Sequence, residues 1–331
     1  MTTRRFDVTA IGNAIVDVIA QAEDALLAQH NLPKGAMNLI DADTAEKLYA
    51  LMGPGKEASG GSAGNTIAGI AALGGKTAYI GKVASDQLGE VFTHDIRAVG
   101  VTYDTTPLVG GLPTARSLIF VTPDAQRTMQ TFLGATTQLG PEDVNMDYIT
   151  SSKVVYLEGY LWDQPRAKEA MRNAAIAAQK AGVKVSFTLS DSFCVARYRA
   201  EFLELVDKHI DILFANEHEI LSLYEVESFD DALQKVRGHC EIAALTRSEK
   251  GSVVVKGDEV HVIDAVPGVK VVDTTGAGDA YAAGFLYGYT QGLDLATCGR
   301  LGGAMAAQVI SQYGPRAEVK DVKALAAKVL G

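Results

Sequence analysis

The sequence lacks the features that would place it in several functional classes. No run of eighteen apolar residues occurs, so a membrane-spanning helix is not expected. Cys194, Cys240 and Cys298 are far apart, odd in number and without CxxC spacing, which argues against a disulfide framework or a zinc site. Such thiols fit a reducing, cytoplasmic setting. The six histidines are scattered without HExxH spacing. Thirty basic residues stand against forty acidic ones, a net charge of −10, and they gather nowhere into a stripe. Nucleic acid and anionic membranes are therefore not expected as partners. The N-terminal segment reaches Asp7 before any apolar stretch develops, so export is not expected either.

What is present reads as a compact globular protein. Hydrophobic residues make up 47% and charged residues 21% of the 331 positions, near the globular average. If the substrate is anionic, backbone amides, a metal and a few placed cations must hold it against the global negative field. That points to helix N-termini.

The first half mixes short strands and helices. Strands are expected at 6–11, 14–20 and 36–40, with helices at 24–29 and 44–51. A helix from residue 65 stops at Gly74-Gly75, and a strand at 77–83 and a helix at 90–99 follow. The β-branched runs 116–122 and 128–133 sit at hairpin distance across a turn that begins at Pro123-Asp124. After residue 150 a strand-helix alternation sets in, with strands at 154–157, 184–188, 212–215 and 242–245. Short apolar strands between amphipathic helices predict a mostly parallel sheet covered on both faces, with ligands at the strands' carboxyl ends. Runs 252–256 and 259–263 read as a closing antiparallel hairpin.

The richest motif is Asp273-Thr-Thr-Gly-Ala-Gly-Asp279, a small-residue turn between an apolar run and a long apolar helix. Gly276, Ala277 and Gly278 let backbone amides converge on an anion, aided by the helix dipole. Asp279 in that turn is placed either to accept a substrate proton or simply to cap the helix. Asn216-Glu-His-Glu219 opens a helix after an apolar strand. It is a capping box, or Glu219 orients magnesium-bound water near nucleotide phosphates. Gly60-Gly61-Ser62-Ala-Gly-Asn65 has more glycine than a cap needs, which marks a hinge or a close approach to ligand. Asp17, between Val16 and Val18, suits either a sugar diol or an exposed strand face. Gly74-Gly75-Lys76-Thr77 resembles a P-loop ending, but Ile70 stands where its first glycine belongs.

Taken together, Gly60-Gly61 with Asn65, Asn216-x-x-Glu219 and Asp273-Thr-Thr-Gly-Ala-Gly-Asp279 resemble the ribokinase-like (PfkB) family of sugar and nucleoside kinases over essentially the whole chain. Within it the resemblance is closest to the adenosine kinase branch, through Gly12-Asn-Ala-Ile-Val-Asp17, Tyr156-Leu-Glu-Gly-Tyr160, 187–193 and 211–217. The resemblance implies a three-layer α/β sandwich, a single large kinase domain spanning 1–331, with a β-rich lid at about 14–42 and 106–134. It implies ATP-dependent phosphorylation of a purine nucleoside's 5′-hydroxyl, with magnesium and a place for potassium near Asp273 and Thr275.

By the same resemblance, Asp279 is the base over an anion hole at 276–278. Asn13, Asp17, Gly61, Ser62 and Asn65 hold the nucleoside, and Arg127 reaches the phosphates. Asn216, Glu219, Thr246, Gly251 and Thr275 attend the nucleotide. Ser248 departs from the family's Thr-x-Gly-x-x-Gly at Thr246 to Gly251, which bears on the nucleotide contacts. A kinase for fructose, ribose or a keto-deoxy sugar acid is the alternative, and a catalytically silent nucleoside sensor a further one. Tyr160, Leu161 and Phe193 are the apolar candidates for a nucleobase slot. A monomer or homodimer is expected.

Overall fold

In the computed structural model, residues 4–124 and 126–331 are described. Along the strands of the second half, alternate side chains enter two different cores, as the pleat requires. On Ser152–Glu158, Val155 and Leu157 pack with Met171, Phe202 and Leu223, whereas Val154 and Tyr156 pack with Ile67 and Phe285. Both faces are thus apolar and both need helices, which gives the three-layer α/β arrangement that the strand-helix alternation leads one to expect.

Among the described residues the main sheet has nine strands. Across the sheet they run Glu259–Ile263, Ser252–Lys256, Ile242–Thr246, Ile212–Asn216, Lys184–Thr188, Ser152–Glu158, Phe6–Ile11, Thr77–Ile80 and Thr102–Tyr103. All neighbours pair in parallel except at one end, where Ser252–Lys256 runs antiparallel to both Ile242–Thr246 and Glu259–Ile263. A smaller sheet of five strands runs Met37–Leu39, Arg127–Phe132, Ala115–Val121, Ile15–Gln21 and Lys56–Gly60.

Several elements differ from the sequence expectation, each for a local reason. Lys56–Gly60 is an edge strand paired antiparallel to Ile15–Gln21. Its sequence KEASG carries no apolar alternation to announce it. The helix expected from Asn65 begins at Ser62, and the one expected from Glu90 begins at Gln87, where Asp86 caps it through the Gly89 amide at 2.8 Å. A further helix begins at Ser192, bends at Tyr198 (φ −121°, ψ 20°) and ends at His209. Leu295–Ile310 and Val319–Leu330 add two helices at the C-terminal end. The first of these packs so tightly on Ala277–Thr290 that a Cβ at Gly284 would lie 2.6 Å from the Leu301 carbonyl oxygen. Among the described residues no helix is long and apolar enough to cross a membrane.

Candidate active site

Thr188, Asn216 and Thr246 end their parallel strands at one edge of the main sheet, where a cavity of about 350 Å³ opens. The turn Thr274 to Asp279 forms one side, and Gly61, Ser62 and Asn65 form another. The smaller sheet closes it from above with Ile15, Asp17, Met37, Ile119 and Met129.

The helix Ala277–Thr290 starts after Gly276, whose φ of +75° only glycine takes without strain. A Cβ there would also meet Pro315 at 2.7 Å, whereas at Gly278 a Cβ would meet nothing within 4 Å. The first-turn amides of any helix have no intrahelical acceptor; the Ala277 N–H donates to the Thr274 carbonyl at 3.2 Å, and its neighbours leave N–H donors for an anion in the open space beside Gly278. Asp279 stands in the same turn. Its Oδ1 accepts from Ser62 Oγ at 2.6 Å and its Oδ2 from Asn65 Nδ2 at 3.0 Å. Burial pushes the Asp279 carboxyl up to about 6, opposed by those two hydrogen bonds and by the charge of Arg316. An aspartate poised there is ionised at neutral pH yet basic enough to take a proton.

Asp17 faces the cavity at 8% exposure, and burial raises its carboxyl to about 7. Arg316 and Arg127 oppose that shift. Gly60 lets the strand pass: a Cβ there would lie 2.4 Å from Asp17 Oδ2. Gly61 has φ +83°, and its Cβ would fall 2.1 Å from the Asn13 carbonyl oxygen. The glycine pair thus marks a close approach of backbone to backbone as well as to the cavity.

Asn13 does not line the cavity. Its amide is spent within the fold, Nδ2 donating to Glu158 Oε1 at 2.8 Å and Oδ1 accepting from Thr136 Oγ1 at 2.9 Å. Leu161 likewise lies in the core at 1% exposure, and Phe193 is exposed, its ring tilted 44° against Tyr160 with centroids 6.2 Å apart. Of the three expected aromatic or apolar candidates, Tyr160 reaches the cavity. Met37, Ile119 and Met129 supply the apolar wall instead. Alternation along their strands signals an apolar face but not what it covers.

Asn216 and Glu219 form a full capping box at the cavity edge. Asn216 Oδ1 accepts from the Glu219 amide at 2.9 Å, and the Glu219 carboxylate accepts from Asn216 N and Nδ2 at 3.0 and 2.7 Å. Burial lifts Glu219 to about 7. Thr246 lines the cavity, while Gly251 lies outside it in a turn at φ +80°. Ser248, which replaces the family glycine, adopts φ +52°, a left-handed conformation that glycine takes freely.

Among the described residues three carboxylates, Asp17, Glu219 and Asp279, face the cavity and no lysine or arginine lines it. A polyphosphate entering this space needs a divalent cation. Carboxylate and hydroxyl oxygens from Glu219, Thr246 and Thr275 suit a hard, largely hydrated ion such as magnesium.

The Asp273 side chain, named with Thr275 for a monovalent cation, is engaged by the protein itself. Its Oδ1 accepts from Thr275 N and Oγ1 at 3.1 and 2.8 Å. Its Oδ2 accepts from Gly314 N at 3.0 Å and faces Arg127 Nη2 at 2.7 Å. Three hydrogen bonds and one ion pair thus hold the carboxylate within the fold. Arg127, expected at the phosphates, is thus held by Asp273, with its guanidinium also 5.9 Å from the Tyr313 ring centroid.

Two groups were given no role by the sequence reading, although Glu158 lies within Tyr156-Leu-Glu-Gly-Tyr160. Glu158, at 0% exposure, accepts from Asn13 N and Nδ2, both at 2.8 Å, and from Ala63 N at 2.7 Å. It ties the end of the first strand to the helix that carries Ser62 and Asn65. Arg316 Nε donates to Asn65 Oδ1 at 2.9 Å.

Comparison with known proteins agrees with this geometry. A solved structure described as adenosine kinase from Sinorhizobium meliloti is 58% identical, with a TM-score of 0.90 over 98% of this chain and 99% of that one. A probable sugar kinase from Rhizobium etli CFN 42 is 55% identical, with the same TM-score and coverage. A 5-dehydro-2-deoxygluconokinase of Bacillus anthracis is 30% identical over 77% of this chain and 80% of its own length. The family model for pfkB family carbohydrate kinases matches residues 35–321, and the chain belongs to that family.

Proposed function

We propose that the chain transfers the γ-phosphoryl group of ATP to the 5′-hydroxyl of a purine nucleoside, adenosine foremost. The observation that carries this reading is the cavity itself: Asp279, oriented by Ser62 and Asn65, on one side, and an apolar roof of Met37, Ile119 and Met129 beside Asp17 on the other. A nucleobase needs such a wall, and the sugar between base and phosphate acceptor needs a carboxylate. The 58% identical adenosine kinase supports the same choice.

In this reading Asp279 accepts the proton of the 5′-hydroxyl as the O5′–Pγ bond forms and the bond from Pγ to the β-phosphate oxygen breaks, with ADP leaving on its electron pair. The amides of Gly276, Ala277 and Gly278 face the charge that gathers on the transferring group. Magnesium supplies charge neutralisation across the phosphates when bound with the nucleotide. Asp17 accepts from the ribose hydroxyls, and Thr246, Thr275, Asn216 and Glu219 attend the nucleotide. The smaller sheet, built from segments within 14–42 and 106–134 together with Lys56–Gly60, serves as a lid that excludes water. The buried Arg127–Asp273 pair supports this, since it joins the lid hairpin to the anion-hole turn.

One observation favours a sugar or sugar acid instead. Ser117, Thr131, Thr188 and Ser190 put hydroxyls on the cavity wall, and the 30% identical relative is a deoxygluconokinase. ATP consumption with adenosine, guanosine, inosine, ribose, fructose and 5-dehydro-2-deoxygluconate separates the two. Adenosine is expected to exceed every free sugar in kcat/KM by about tenfold or more. A free sugar or sugar acid in first place overturns the nucleoside assignment.

A further inference from the structure

Three consecutive residues after the helix Leu295–Ile310 brace the proposed base and its turn. Gly314 N donates to Asp273 at 3.0 Å, Pro315 packs against the position where Gly276 would carry a Cβ, and Arg316 reaches Asn65. Asn65 presents a chemically two-faced amide to Asp279. If its oxygen pointed at the carboxylate, two acceptors would oppose each other; only the NH₂ group supports an ionised base.

We propose that Arg316 is a positioning residue for phosphoryl transfer: its two-pronged hold on Asn65 and Ser59 fixes the Asn65 amide with its NH₂ toward Asp279. Arg316 Nε donates to Asn65 Oδ1 at 2.9 Å, so the oxygen is committed and Nδ2 is left for Asp279 Oδ2 at 3.0 Å. Arg316 Nη1 donates to Ser59 Oγ at 2.6 Å, and Ser59 Oγ donates in turn to Asp95 Oδ2 at 2.6 Å. Ser59 N also donates to Asp95 Oδ2, at 2.7 Å. The guanidinium therefore has one prong on the helix that holds the base and the other on the strand Lys56–Gly60 of the smaller sheet, anchored to the helix Gln87–Ala98. Arginine is suited to such a site because its donors form a rigid fork.

The same guanidinium is the cation that faces Asp279. The other ionisable groups that sense Asp279 are Asp17 from the smaller sheet, and Tyr156, Glu158 and Tyr160 at the end of the strand Ser152–Glu158. Arg316 thus lowers the Asp279 carboxyl while the neighbouring carboxylates Asp17 and Glu158 disfavour its charge.

The inference rests on Asp279 as the base, so Asp279→Asn is measured beside the Arg316 variants. In Arg316→Gln the acid limb of kcat/KM is expected to move to higher pH by roughly half a unit or more, because a facing cation is gone. Its kcat is expected to fall about 10- to 100-fold, the range for misplacing a reacting group, with nucleoside KM changed little. Arg316→Lys keeps the charge without the fork: the limb stays in place and kcat falls several-fold. An unmoved limb and unchanged kcat in a folded Arg316→Gln overturn the inference. If that variant does not fold, Arg316→Lys decides, and wild-type kcat in it overturns the need for the fork. Should Asp279→Asn turn over like the wild type, the base assignment fails first. Should Asp279→Asn be inactive while both Arg316 variants match the wild type, only the positioning role falls.

Discussion

Removing one hydroxyl from the substrate and one carboxylate from the protein tests whether Asp17 reads the ribose. Asp17 is 8% exposed, faces the cavity, and among the described residues no side chain or amide donates to it. A sugar hydroxyl would give this carboxylate a first partner. A hydrogen bond to a charged group contributes about 1.5–3 kcal/mol, so 2′-deoxyadenosine should lose about tenfold to 150-fold in kcat/KM against adenosine. Burial sets the Asp17 carboxyl near 7, so the charged acceptor grows in as pH rises from 6 to 8. Discrimination should rise with it, since the neutral acid offers only an ordinary hydrogen bond of about 0.5–1.5 kcal/mol. In Asp17→Ala both nucleosides should converge to within a few-fold at either pH.

Stability gives an independent sign. A carboxyl whose folded value lies above its unfolded one contributes stability present at low pH and lost as pH climbs through the folded value. Asp17→Ala should therefore gain on the wild type in melting temperature between pH 6 and 8. Competitive turnover of the two nucleosides at pH 6 and 8 on both proteins is the assay. Equal discrimination before and after the substitution refutes the reasoning.

Three further expectations follow from the same geometry. Asp279→Asn should lower kcat by about 10² to 10⁴ with its melting curve intact, and wild-type kcat/KM should fall as pH drops through about 6, where Asp279 takes up its proton. Gly278→Val should fold normally, because open space receives the side chain, yet lose turnover. Gly276→Ala should lose folded protein, because its Cβ meets Pro315 and its φ is positive. Circular dichroism melts beside turnover tell the two glycines apart, and a Gly278→Val enzyme as active as wild type removes the anion hole from this turn. Glu158→Gln turns one of three acceptor contacts into a donor facing a donor, which costs about 1–3 kcal/mol, read as a lower urea midpoint at unchanged slope. An unshifted midpoint would show that the Asn13 and Ala63 amides find other acceptors.

Most of the main sheet was legible because its signals are local. Apolar runs of strand length between amphipathic helices specify both faces of a parallel sheet without knowledge of partners. The strand Lys56–Gly60 was not legible, because its place is set by pairing with Ile15–Gln21 rather than by its own side chains. Helix starts were misplaced where polar and glycine residues stand in the first turn. Ser62, Ala63 and Gly64 read as a loop by composition, yet Glu158 accepts the Ala63 amide from 95 residues away and fixes the start.

The site divides the same way. Gly276 to Asp279, Asn216 with Glu219, and Gly60-Gly61 stood out because each is a short string whose chemistry is complete within a few residues. What orients them is assembled from distant ones: Asn65 is 251 residues from Arg316, and Ser62 is 217 from Asp279. No spacing rule links such pairs, and an arginine after Gly314-Pro315 carries no motif of its own. The family resemblance likewise sent Asn13 and Arg127 to the ligand, but a resemblance of short motifs does not reveal a competing partner. Glu158 claims the first and Asp273 the second. For Asn13 and Arg127 the competing partner is a buried carboxylate, and a carboxylate left unpaired in the core costs more than an exposed contact returns. A sequence names the candidates for a site; the buried partners that compete for them become visible when the chain is folded.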